Sequence, residues 1–143
     1  MTGVQTCALP IWVASIDIVI EEKLPERAAA LEKRVKAAAA AMAERYDFIG
    51  DVRGRGVLLG IEMVKDRQTR APANEMCREA VRRCEADGLL VQARGSHARS
   101  NVMRLVPPMV CSNDEIDEGL AILDDVFADI AKGRRGVRGL AAE

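Results

Sequence analysis

The sequence predicts an α+β fold, a small and mostly antiparallel sheet covered by helices, and three observations predict it. Apolar residues recur at helical spacing in several separate stretches. Short runs of branched residues, bounded by Gly and Pro, lie between those stretches. Their order reads helix, helix, strand or strands, helix, strand, strand, helix, a layered arrangement around one core. At 143 residues, 49% apolar and 30% charged, the chain can fill about one domain.

The same numbers exclude several function classes. Twenty-one Lys and Arg face 22 Asp and Glu, so the phosphate-neutralising excess of a nucleic-acid binder is missing. Four aromatic residues do not make a base-stacking or sugar-binding platform. No apolar run approaches the roughly 20 residues of a membrane span. Four cysteines in an ordinary composition read as reduced thiols and point to a cytoplasmic protein rather than a disulfide scaffold.

Residues 1–11, MTGVQTCALPI, have no basic n-region and too broken an apolar stretch for a signal peptide. They resemble the in-frame translation of a common DNA-sequencing adapter. The natural frame is then expected to enter near Trp12 or Val13, with an unknown length missing before it, and Cys7 carries no biology. A natural disordered N-terminus is the alternative.

Residues 12–46 form a helical segment. Ile16, Val19 and Ile20 share one helical face within 13–22. Pro25 suits the first turn of a second helix, where Leu24, Ala28, Leu31, Val35 and Met42 follow the core stripe and Glu32 and Lys36 form an outer i,i+4 pair. This helix ends near Tyr46. Residues 47–131 are the α+β domain. Gly50, Gly54, Gly56 and Gly60 punctuate strands with bends, and 57–64 is the best strand candidate. A polar turn at 65–72 precedes a helix over 74–87, with Met76, Ala80 and Cys84 inward and Gly88 as its stop. A strand starts at 89–91, a Gly/Ser/Arg loop spans 94–101, and 102–106 is a further strand ended by Pro107 and Pro108. Ser112 and Glu115 have capping-box spacing, and Ile116, Leu120, Leu123, Phe127 and Ile130 make the stripe of the last helix. Residues 132–143, rich in Gly and Arg, are expected to be a frayed, flexible tail.

Among candidate functional residues Arg104 is the most informative. Alternation puts it on one face with Val102 and Val106, while Met103 and Leu105 take the other. A guanidinium among aliphatics is costly to bury without an anion, and its fork matches a carboxylate or phosphate. An edge-strand position, or a pairing with an internal acid, is the competing account. The segment 51–56, DVRGRG, lacks the spacing of a phosphate loop and leads into a strand, so glycine bends explain it better. Cys77 and Cys84 lie seven apart on one helix face, where core packing is preferred to zinc binding. His97 stands in a polar loop with no partner motif and reads as solvated. No nucleophile–base–acid constellation is present.

Two stretches, IGDVRGRGVLLGIEMVKD at 49–66 and NVMRLVPPMVCSNDEIDEGLAIL at 101–123, together resemble the C-terminal small domain of class III, or ω-type, aminotransferases, pyridoxal-phosphate enzymes of fold type I. The resemblance extends over nearly all of residues 13–131. It implies transfer of an amino group from an amine or amino acid to a 2-oxo acid, in a parent that is a homodimer using pyridoxal 5′-phosphate. It also implies that Arg104 holds a substrate carboxylate. The Schiff-base lysine, the acid facing the pyridine nitrogen and the phosphate-binding residues of such enzymes lie upstream, and Lys23, Lys33, Lys36, Lys65 and Lys132 match no Schiff-base context. The chain alone is therefore expected to be inactive. Dialkylglycine-decarboxylating and aminomutase relatives share this domain, so the subtype stays open. The loop 92–100, with Arg94, His97 and Arg99, is the least family-typical part and reads as a solvated basic loop rather than a substrate selector. Two accounts compete: a stand-alone regulatory module that reads carboxylates through Arg104, and an interaction protein that assembles through its helices.

Overall fold

A computed structural model describes residues 3–94 and 100–140. Its elements run α1 (Gly3–Glu21), α2 (Leu24–Arg45), β1 (Ile49–Arg55), β2 (Leu58–Met63), α3 (Asn74–Ala86), β3 (Gln92–Arg94), β4 (Val102–Leu105) and α4 (Asn113–Leu140). The four strands form one antiparallel sheet in the order β1-β2-β4-β3. Helices α2, α3 and α4 cover one face, so the predicted α+β architecture is the observed one.

Period-two alternation decides which face is covered. Leu59, Ile61 and Met63 of β2, with Met103 and Leu105 of β4, point into the helical layer and are buried. There they meet Leu31, Val35, Ala39 and Met42 of α2, and Ile116, Leu123, Val126, Phe127 and Ile130 of α4. Three of the four aromatic rings lock this core. Tyr46 stacks on Phe48 at 5.6 Å between centroids, and Phe127 meets Phe48 edge-on at 5.4 Å. The Tyr46 hydroxyl donates to Asp124 Oδ1 at 2.7 Å, which keeps its polar end satisfied at the rim of the core.

Local chemistry accounts for the element ends. Gly56 (φ 59°) and Val57 connect β1 to β2, and at Gly54 (φ 135°) an added Cβ would lie 2.1 Å from the Leu58 carbonyl oxygen. Both positions need a residue without a side chain. The Gly56 N–H donates to Glu32 Oε2 at 2.6 Å, so the Glu32–Lys36 pair predicted as an outer ornament also ties the hairpin to α2. The capping box forms as expected. The Ser112 N–H donates to Glu115 Oε2 at 2.7 Å, and the Glu115 N–H donates to Ser112 Oγ at 3.2 Å. Arg34 grips Asp117 with two donors, one at 2.6 Å, and Arg27 donates to Asn113 Oδ1 at 2.8 Å, so α2 and α4 are stitched along their exposed edge.

Four details differ from the sequence reading. The first helix starts at Gly3, runs through Pro10, and exposes its apolar residues instead of hiding one stripe. In α3 the inward residues are Cys77, Ala80 and Cys84, with Met76 only half-buried, because the helix is rotated so that the smaller thiol faces the sheet. The third strand lies at Gln92–Arg94 rather than 89–91. Residues 89–91 close α3 instead, the Leu89 N–H donating to the Cys84 carbonyl at 2.7 Å and Gly88 taking φ 93°. Finally, α4 carries helical backbone to Leu140, past the point where fraying is expected.

Two measurements test this packing. Phe127→Ala removes the ring at the centre of the aromatic cluster and is expected to cost about 3–5 kcal/mol in urea denaturation; a loss under 1 kcal/mol would mean that the ring is not central. Burial pushes the Cys77 and Cys84 thiols up to about 11. A disulfide reagent at pH 8 should therefore modify the half-buried Cys111 and leave those two intact. Labelling of all three at similar rates would show that α3 does not dock as described.

Candidate functional site

The face of the sheet opposite the helices carries polar groups in a defined register. β4 is an inner strand, flanked by β2 and β3, so the edge-strand account of Arg104 does not apply. Arg104 sits directly across from Gly60 on one side and Gln92 on the other, and Arg53 of β1 is the next residue beyond Gly60 in the same row. Met103 and Leu105 face the core, so Arg104 lies on the uncovered face, where it is half-buried. Position 60, opposite Arg104, has no side chain of its own, and a Cβ there would meet Val102 Cγ1 at 3.1 Å.

The second row of this face is an ion cluster that the sequence reading missed. Glu62, only 18% exposed at its side chain, accepts from Arg53 Nη1 at 3.3 Å and from Arg70 Nη2 through the same oxygen. Arg53 also donates to Asp51 Oδ2 at 2.6 Å. Burial pushes the Glu62 carboxyl up, but the Arg70 and Arg53 guanidiniums outweigh it and hold the group below the ordinary glutamate range. The sequence carries no local signal for the cluster, because its members come from β1, β2 and the turn after β2 and meet only through the β1–β2 register. Among the described residues no acid forms an ion pair with Arg104, so the internal-pairing account of that residue is also unsupported.

The remaining candidates separate from this face. Cys77 and Cys84 are buried under the sheet in the apolar core, and no group of three or more His, Cys, Asp or Glu among the described residues could hold a metal. His97 and Arg99 lie outside the described residues. A cavity of about 190 Å³ opens on the helical side of the sheet, lined by Val35, Leu105, Pro107, Leu120 and Leu123. Its one acidic group, Glu115, is taken up by the capping box. No helix among the described residues is long and apolar enough to cross a membrane.

A pyridoxal phosphate site needs a lysine in a cavity with phosphate donors and an acid for the ring nitrogen. The lysines do not fit that demand. Lys36 pairs with Glu32 and Lys132 with Asp129 on helix surfaces, and Lys23 and Lys33 lie exposed on or beside α2. Lys65 lies exposed in the turn after β2, where its neighbours across a shallow pocket are Pro72, Ala73, Asn74, Glu75 and Met76. Arg104 does not line that pocket.

The family model Aminotransferase class-III matches residues 4–127. A leucine/methionine racemase of Thermococcus litoralis is 36% identical over 124 residues, which are 87% of this chain and 27% of that protein. A 5-aminovalerate aminotransferase of Pseudomonas aeruginosa is 34% identical over 83% of this chain and 28% of its own length. The PLP-bound amine transaminase of an uncultivated Pseudomonas species superposes with a TM-score of 0.73 at 29% identity, over 82% of this chain and 26% of that structure. The chain thus spans little more than a quarter of these curated relatives. With the family model covering most of its length and the same fold in a solved transaminase, the chain belongs to the class III aminotransferase family.

Proposed function

We propose that this chain is the substrate-carboxylate-binding small domain of a pyridoxal-phosphate-dependent aminotransferase that moves an amino group from an amine or amino acid to a 2-oxo acid. The observation that carries the proposal is Arg104: a guanidinium on an inner strand, facing away from the core, with a side-chain-free neighbour at Gly60 and no acidic partner among the described residues. Such a group supplies two parallel donors to a carboxylate, fixing both the charge and the plane of the bound acid. Gln92, directly across on β3, adds a neutral amide beside it. Residues outside this chain would hold the cofactor and bring it over the open face, in a parent that is a cytoplasmic homodimer.

Racemisation is a second reading, favoured by the 36% identity to the leucine/methionine racemase. There too an amino acid carboxylate has to be gripped, so Arg104 keeps its role while the acceptor acid loses its own. Product analysis with a single chiral amino acid, with and without a 2-oxo acid, separates the two.

The test joins this segment to its upstream coding region and assays amino transfer to pyruvate and 2-oxoglutarate. Arg104→Ala is expected to raise the KM for the acid roughly 10- to 100-fold, the equivalent of one charged hydrogen-bonded pair, with a smaller change in kcat. An unchanged KM would remove Arg104 from the site, and an upstream region without a cofactor-binding lysine would overturn the whole proposal. The 143-residue chain by itself, incubated with pyridoxal phosphate and borohydride, should show no lysine modified stoichiometrically.

A further inference from the structure

We propose that Arg53 and Arg70 are positioning residues that hold Glu62 away from Arg104, so that Arg104 stays open to a substrate carboxylate. The inference rests on the carboxylate-binding role of Arg104 argued above and adds what keeps that role available. In the register of β2 and β4, Glu62 lies opposite Val102 and Gly60 lies opposite Arg104. Glu62 and Arg104 are therefore diagonal neighbours on one face, about 7–8 Å apart, a gap that long side chains bridge. Between them lies the short side chain of Val102, whose Cγ1 would stand 3.1 Å from a Cβ at Gly60, and no longer group. An acid and a guanidinium so placed would pair if both were unengaged.

Glu62 is engaged twice. One of its oxygens accepts from both Arg53 and Arg70, which approach from β1 and from the turn after β2. Arg53 is steadied in turn by Asp51. Arg70 is presented by a constrained turn: the Lys65 N–H donates to the Ala71 carbonyl at 2.7 Å, Asp66 Oδ1 accepts from the Gln68 and Thr69 N–H groups at 3.0 and 2.8 Å, and Arg70 itself takes φ 53°. A non-glycine residue in the left-handed region is uncommon and persists where its surroundings hold it. The two acids and two guanidiniums of this cluster cancel, and the charge of Arg104 is left for a ligand. While Arg53 and Arg70 hold it, their charges favour the ionised form of Glu62, the form that accepts from a guanidinium.

The test is by nuclear magnetic resonance on the 143-residue chain, following the Glu62 carboxyl through its titration together with the Arg104 Nε–Hε signal. In the unmodified chain the Arg104 signal should not respond to Glu62. In Arg53→Ala/Arg70→Ala it should shift as Glu62 ionises, and adding Glu62→Gln should abolish that response. An Arg104 signal that follows Glu62 in the unmodified chain, or ignores it in the double variant, overturns the proposal. Should the double variant not fold, Arg70→Ala alone, which alters only an exposed turn, must show a partial response of the same sign or the proposal fails. In the active parent enzyme, the double variant should raise the KM for pyruvate about 3- to 10-fold with kcat within twofold, and Glu62→Gln on that background should restore it. A rise that survives Glu62→Gln is structural damage and refutes the positioning role. An Arg104→Ala variant with normal KM would instead sink the carboxylate reading, whatever the two arginines do.

Discussion

The antiparallel register of β2, β4 and β3 is the constraint from which the rest of this chain's properties descend. Side chains alternate strictly along a strand, so a slip of one residue in β4 would bury Arg104 among Phe48 and Phe127 and turn Met103 outward. Neither exchange is affordable: the guanidinium would enter the core without an acid, and the apolar face of the sheet would lose its contact with α2 and α4. The packed core therefore acts as the ruler that sets Arg104 beside Gly60. The α2–α4 stitching by Arg27 and Arg34 keeps that ruler straight by holding the covering helices at a fixed spacing.

Much of this was legible from residue pattern, and the reasons are local. The capping box at Ser112 and Glu115 and the stripe from Ile116 to Ile130 are encoded within a few turns, and they appear as read. The alternation around Arg104 is equally local, and it gave the correct face. Strand placement near Gly88 was less legible, because Leu89, Leu90 and Val91 look like strand residues while tertiary structure uses them to close α3. The Arg53–Glu62–Arg70 cluster was illegible for a different reason. Its members come from two strands and a turn, and only the β1–β2 register brings them together. The carboxylate-binding role proposed for Arg104 rests on family resemblance rather than pattern, since spacing alone left edge placement and internal pairing as rivals.

Family membership and the partial span fit together physically. The uncovered face of the sheet carries the charged residues of β1, β2 and β4, while Lys36 and Lys132 pair with acids on helix surfaces. The three cysteines with described side chains follow the same division: two fill the core where burial suppresses their ionisation, and the third lies near the start of α4.

Helix α1 has a practical consequence. Leu9, Ile11, Trp12, Val13, Ile16, Ile18 and Ile20 stand in solvent around its circumference, a longer run of exposed apolar side chains than the scattered Leu58, Leu90, Val106 and Val110 elsewhere. An exposed apolar surface of this kind favours self-association, and α1 carries most of it here. Purification yield, detergent requirement and chaperone capture will report on that helix long before they report on the sheet.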